Sequence, residues 1–235
     1  KGMVIAKRLL EELKPIIEAK LATLAKGKRV QALKGKEAVK AAGLVGTSVE
    51  KALDEAADKQ LKAKGRIRVP TALLVDSSGS MSQAIELGKR IGAMLAAVMD
   101  APLYAYAFNT MPYAIQAAGP ELVAWEKAFR GITANGGTAA GSPLRAMIAA
   151  NQVVENIILV TDEGDNTPPM FWDTLATYET QTDSKPSVCI VKCRANDSGW
   201  CDVLERQAKV LGREVDVWTF DEQAGAGYNS LPGLI

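Results

Sequence analysis

Thr71-Ala-Leu-Leu-Val-Asp-Ser-Ser-Gly-Ser-Met81 is a short apolar run that stops on a carboxylate and enters a serine-glycine turn. The run is too short for a helix and has no polar alternation, so it predicts a strand buried on both faces. The pattern then recurs: further strands are expected at 103–108, 156–160, 188–191 and 215–220, with a short edge strand at 113–117. Between them the spacing of apolar residues predicts helices at 82–99, 121–129, 143–152, 170–180 and 202–211. Strands alternating with helices imply an α/β fold, a doubly wound, Rossmann-like and mostly parallel sheet covered on both faces. In such sheets ligands bind beyond the carboxyl ends of the strands, near the point where strand order reverses. The loops that follow strands are therefore where chemistry is expected.

Composition narrows the function classes. The 235 residues are 48% hydrophobic and 23% charged, a globular balance far from that of a disordered chain. No histidine occurs, so this chain alone cannot build a Ser-His-Asp triad, a Cys-His pair or an imidazole-ligated zinc or haem. The longest apolar run, 91–99, is about half of what a membrane helix needs, so no membrane partner is expected. Cys189, Cys193 and Cys201 cannot all pair, which fits a reducing compartment and a cytoplasmic location. Position 1 is Lys rather than Met, consistent with a fragment or a processed piece of a longer protein.

The net charge of +1 conceals an asymmetry: residues 1–70 carry 17 Lys and Arg against 8 Asp and Glu, and the remainder is acidic. Residues 1–64 hold one proline and helical apolar spacing, and read as a basic helical segment preceding a second domain at 65–235. Its densest stretch supplies candidate RNA phosphate contacts at Lys26, Lys28, Arg29, Lys34 and Lys36. A solvated lysine-rich helix surface is the competing reading, and the lack of an aromatic residue there weakens single-strand binding.

In the quoted stretch Asp76, Ser78 and Ser80 alternate along a turn entering a helix and offer three oxygen donors. Gly136-Gly137-Thr138 adds a hydroxyl on a glycine turn, and Ile157-Ile-Leu-Val-Thr-Asp162 ends a second buried strand on another carboxylate. Hard cations such as Mg2+ take about six oxygen ligands near 2.1 Å and keep several waters, which suits carboxylates mixed with hydroxyls. Mn2+ or Ca2+ are substitutes at such a site. The competing reading of the serines is an ordinary turn that caps a helix.

Asp76-x-Ser78-x-Ser80, Thr138 and Asp162, on this order of strands, resemble the metal-ion-dependent adhesion site of a von Willebrand factor A domain, over residues 67 to about 222. The resemblance implies that Ser78 and Ser80 ligate directly, Thr138 directly or through water, and Asp76 and Asp162 mainly through water. It leaves one position for an acidic group from a partner protein. Within that class the chain is most similar to the A domain of the Ro (TROVE) ribonucleoprotein family. Lys51-Ala-Leu-Asp-Glu-Ala56, Gly65-Arg66, Asp76 to Met81, Gly136-Gly-Thr-Ala-Ala-Gly-Ser-Pro-Leu144 and Val188-Cys-Ile-Val-Lys-Cys193 carry this likeness. Ro proteins add a ring of helical repeats that binds small structured RNAs and the ends of misfolded RNAs. Only a short helical segment stands before the A-like domain here, so RNA contacts do not transfer residue by residue.

Other constellations read more simply as structure. An aspartyl phosphatase would need a second acid two residues after Asp76, where Ser78 stands. Glu163 and Asp165 read as a solvated loop beside one ligand, Asp162. Three cysteines without a fourth ligand make no zinc site, and Trp125, Phe129, Phe171, Trp172 and Leu175 read as core. No glycine-rich phosphate loop fits. The expectation is a non-enzymatic, Mg2+-dependent binding module recognising an acidic ligand on a partner, with Ro-like RNA binding through the basic segment as the alternative.

Overall fold

The computed structural model describes residues 66–193 and 203–220. Every residue of β1 (Thr71–Asp76) is buried, as an apolar run flanked by polar turns requires. Its neighbours are β2 (Leu103–Phe108) and β4 (Asn156–Thr161), both parallel to it. Beyond them lie β3 (Pro112–Ile115), antiparallel to β2, and β5 (Ser187–Cys193) followed by β6 (Asp216–Phe220), both parallel to β4. The sheet order is β3-β2-β1-β4-β5-β6, so strand order reverses between β1 and β4.

Five helices cover the sheet among the described residues: α1 (Ser82–Val98), α2 (Leu122–Ala128), α3 (Ser142–Ala149), α4 (Phe171–Thr182) and α5 (Val203–Val210). Alternation along β1 sends Ala72 and Leu74 into one core with Leu144 and Met147 of α3 and Phe171, Leu175 and Tyr178 of α4. Val75 faces the other way, against α1. A Cβ on Gly88 would lie 2.6 Å from the Val75 methyls, and one on Gly92 would overlap the Trp125 ring, so these glycines let α1 seat on β1 and α2 on α1. Trp125, Phe129, Phe171 and Trp172 are all buried, as the core reading requires.

Some boundaries differ from expectation. α3 ends at Ala149 rather than 152, because Asn151 takes a left-handed φ of 51° and the Gln152 N–H returns to the Met147 carbonyl. β3 starts at Pro112 and ends at Ile115, two residues short of the expected end. The basic segment, with Lys26, Lys28, Arg29, Lys34 and Lys36, lies outside the described residues, as does Cys201.

Candidate metal-binding site

Parallel pairing in register places the carboxyl ends of β1 and β4 side by side at the strand-order switch, where open α/β sheets bind ligands. Asp76 is the last residue of β1 and Asp162 follows the last residue of β4. Asp76 is fully buried, and both its oxygens accept hydrogen bonds: Oδ1 from the Ser78 N–H at 2.8 Å, Oδ2 from the Thr161 hydroxyl at 2.7 Å. Burial pushes its carboxyl up to about 6 even though Ser78 and Thr161 favour the charged form, and the charge of Asp162 pushes the same way as burial. No cation of the described residues is among the groups that act on this carboxylate.

Ser80 is exposed, and its hydroxyl donates to Asp162 Oδ2 at 2.7 Å, which ties the loop after β1 to the loop after β4. A hydroxyl that donates its one hydrogen keeps both lone pairs as acceptors. The helix-capping reading does not describe this turn: the N-cap of α1 is Met81, without a side-chain cap bond. Asp162 also accepts the Gly164 N–H at 3.1 Å through Oδ1.

Thr138 is buried and held from the loop after β4. Its N–H donates to Asn166 Oδ1 at 3.0 Å, while its carbonyl accepts the Asn166 and Thr167 N–H groups at 3.1 and 2.8 Å. The glycine turn before it is fixed to the first loop, since Gly136 O accepts the Gly79 N–H at 3.1 Å and Ser77 O accepts the Asn135 N–H at 2.9 Å. The structure thus brings the loops carrying all five sequence-predicted oxygen donors to one end of the sheet.

Several contributors carry no obvious sequence signal. Thr161 supports Asp76 from inside β4, and Asn166 holds Thr138. Glu163 and Asp165, expected in a solvated loop, are buried. Glu163 takes a left-handed φ of 69° that sends its carboxylate inward, 3.3 Å from Lys192, whose ammonium also meets Glu205 at 2.9 Å. Asp165 accepts the Ala140 N–H at 3.1 Å and the Phe171 N–H at 2.6 Å, joining the starts of α3 and α4, and burial raises its carboxyl above the usual range. Lys192 within the largely apolar β5 is the sequence clue to an inward acid.

The donor set suits a hard cation. Its groups are carboxylates and hydroxyls only, and a divalent ion would offset the cost of burying Asp76 in its charged form. Among the described residues no group of three or more His, Cys, Asp or Glu is placed to hold a metal, so an ion held here would depend on the hydroxyls and on water beside the two carboxylates. Burial pushes the Cys189 thiol up to about 11 and the Cys193 thiol higher still, so both favour the protonated form at neutral pH. No helix among the described residues is long and apolar enough to cross a membrane.

No protein-family model matches the sequence, and no curated protein matches it. Solved structures are similar in fold. The Ro (RSR) protein of Deinococcus radiodurans matches with a TM-score of 0.50 at 18% identity, over 80% of this chain and 39% of that one. A von Willebrand factor type A protein from Catenulispora acidiphila gives 0.48 at 17% identity over 70% and 41%, and BatB of Bacteroides thetaiotaomicron 0.48 at 16% over 71% and 94%. This chain therefore spans about two fifths of the Ro chain that it matches. The six-stranded, mostly parallel sheet with its covering helices is a doubly wound, Rossmann-like α/β arrangement, and the likeness to the Ro protein is one of fold.

Proposed function

We propose that this chain is a binding module rather than an enzyme, in which Asp76, Ser78, Ser80, Thr138 and Asp162 hold Mg2+ and an acidic side chain on a partner protein completes the coordination. The observation that carries the reading is the convergence at the β1–β4 switch: a buried Asp76, pushed up by burial and by the charge of Asp162, beside an Asp162 that is bonded to Ser80. Both Asp76 oxygens are engaged by hydrogen bonds, which favours action through bound water over direct ligation. The same engagement disfavours Asp76 as a nucleophile, and the position two residues on is Ser78, which cannot serve as acid or base. The ion would serve recognition: a cation neutralised by two carboxylates still attracts a third when a coordination position is open to a partner.

The test is Mn2+ binding followed by electron paramagnetic resonance on wild type and on Ser80→Ala and Thr138→Ala. Saturable binding weakened by each variant supports the reading, and binding unaffected by both removes it. A second reading, RNA binding through residues 1–64, rests on the +9 charge of residues 1–70 and on the sequence resemblance to Ro proteins. Affinity for a small structured RNA that does not fall between low and moderate salt would count against it.

A further inference from the structure

We infer that Lys192 is a positioning residue for the candidate cation site: its ammonium, anchored to α5 by Glu205, draws Glu163 inward and so fixes the turn that presents Asp162. This rests on the metal-dependent reading above. Glu163 is fully buried and takes a φ of 69°, a left-handed conformation that a residue with a Cβ adopts at a cost and keeps only where its surroundings impose it. Lys192 supplies a pull in that direction. Its Nζ lies 3.3 Å from Glu163 Oε1 and 2.9 Å from Glu205 Oε2, and Glu205 meets Lys209 at 3.0 Å on the same helix. Hydrogen bonds from Lys192 and Lys209 hold the Glu205 carboxyl below the usual carboxylate range, so the anchor stays charged.

The Glu163 turn is wired to both carboxylates of the candidate site. Its N–H donates to the Thr161 hydroxyl at 3.0 Å, and that hydroxyl donates to Asp76 Oδ2 at 2.7 Å. Thr161 is in turn the register partner of Lys192 where β4 pairs with β5. On the other side of Glu163, the Gly164 N–H donates to Asp162 Oδ1 at 3.1 Å, and a Cβ on Gly164 would lie 3.1 Å from that same oxygen. A Glu163 side chain released to solvent would let its backbone relax out of the left-handed region, and the two N–H groups that flank it would leave Thr161 and Asp162. Charge and position then predict opposite effects for Lys192. A cation behind the site repels a second cation, so charge alone makes its removal tighten metal binding, whereas loss of the inward pull weakens it.

The test measures Mn2+ affinity by electron paramagnetic resonance on the full 235-residue chain, with circular dichroism confirming that each protein is folded. Wild type is compared with Lys192→Met and with two double variants, Lys192→Met/Glu163→Gln and Lys192→Met/Glu163→Gly. Lys192→Met should bind Mn2+ about tenfold more weakly than wild type. The two double variants carry the same charge and bury no lone acid, so they decide the matter even if Lys192→Met does not fold. Glycine takes the left-handed φ without a pull, so the Gly variant should bind several-fold more tightly than the Gln variant. Affinity at or above that of wild type in folded Lys192→Met, or a Gly variant no tighter than the Gln variant, would overturn the positioning role and leave the metal reading standing. No saturable binding to wild type, or equal binding by Asp76→Ala, would overturn the metal reading and this inference with it.

Discussion

Ser80 Oγ donates to Asp162 Oδ2 at 2.7 Å, a contact between residues 82 apart in sequence that closes the candidate site across the β1–β4 boundary. The bond is solvent-exposed, so its removal in Ser80→Ala should cost at most about 1 kcal/mol of metal-free stability. Loss of the same oxygen as a ligand should weaken Mg2+ by roughly tenfold or more. Thermal unfolding in EDTA and calorimetric Mg2+ titration of the variant separate the two effects.

Asp76 sets a pH dependence with a definite sign. Its folded carboxyl sits at about 6 against an ordinary 3.8, so the folded state holds the proton more tightly than the unfolded one. Without metal, stability is highest below the unfolded value, falls as pH rises through the interval between the two, and levels off above the folded one. The loss is about 3 kcal/mol, from the two pKa values at 1.36 kcal/mol per unit. Asp76→Asn removes this term, so in EDTA at pH 7 it should unfold at a higher temperature than wild type, and Mg2+ should reverse the ranking. Equal Tm values for the two proteins in EDTA would contradict the assignment.

Asn166 is a positioning residue for Thr138, through its side chain on the Thr138 N–H and its own N–H on the Thr138 carbonyl. Asn166→Ala keeps the main-chain bond and loses the other. Mg2+ affinity should fall about 10-fold or more while the far-ultraviolet dichroism is unchanged. Asn166→Asp keeps the acceptor and should retain wild-type affinity or better; a similar loss in both variants would contradict a positioning role.

A control lies near the start of β4, remote from the strand ends that carry the site. The Tyr178 hydroxyl accepts the Val154 N–H and donates to the Gln152 carbonyl, both at 2.8 Å, from a fully buried ring. Tyr178→Phe strands a buried N–H and should cost about 1 to 3 kcal/mol in urea unfolding, with Mg2+ affinity unaltered.

The parts legible in sequence are those governed by local pattern. Apolar runs such as Thr71–Asp76 and Asn156–Thr161 identify buried strands because both faces must be covered, and the turn at Asp76–Ser80 announces itself by residue type. What was not legible depends on partners distant in sequence. Glu163 looks like a surface acid until Lys192, on the next strand, supplies its counter-charge, and Asp165 looks solvated until the N–H groups of Ala140 and Phe171 converge on it. Thr161 reads as one more β-branched strand residue, and only the pairing of β1 with β4 sets its hydroxyl against Asp76. The early end of α3 turns on a left-handed Asn151, a conformation that asparagine permits without announcing.

The most direct test of the central claim is a calorimetric titration of Mg2+ into wild type and Asp76→Ala at pH 7, with unfolding curves showing that both are folded. Saturable binding to wild type at one ion per chain, and none to the variant, is the expected result. The same isotherm from both proteins would contradict it.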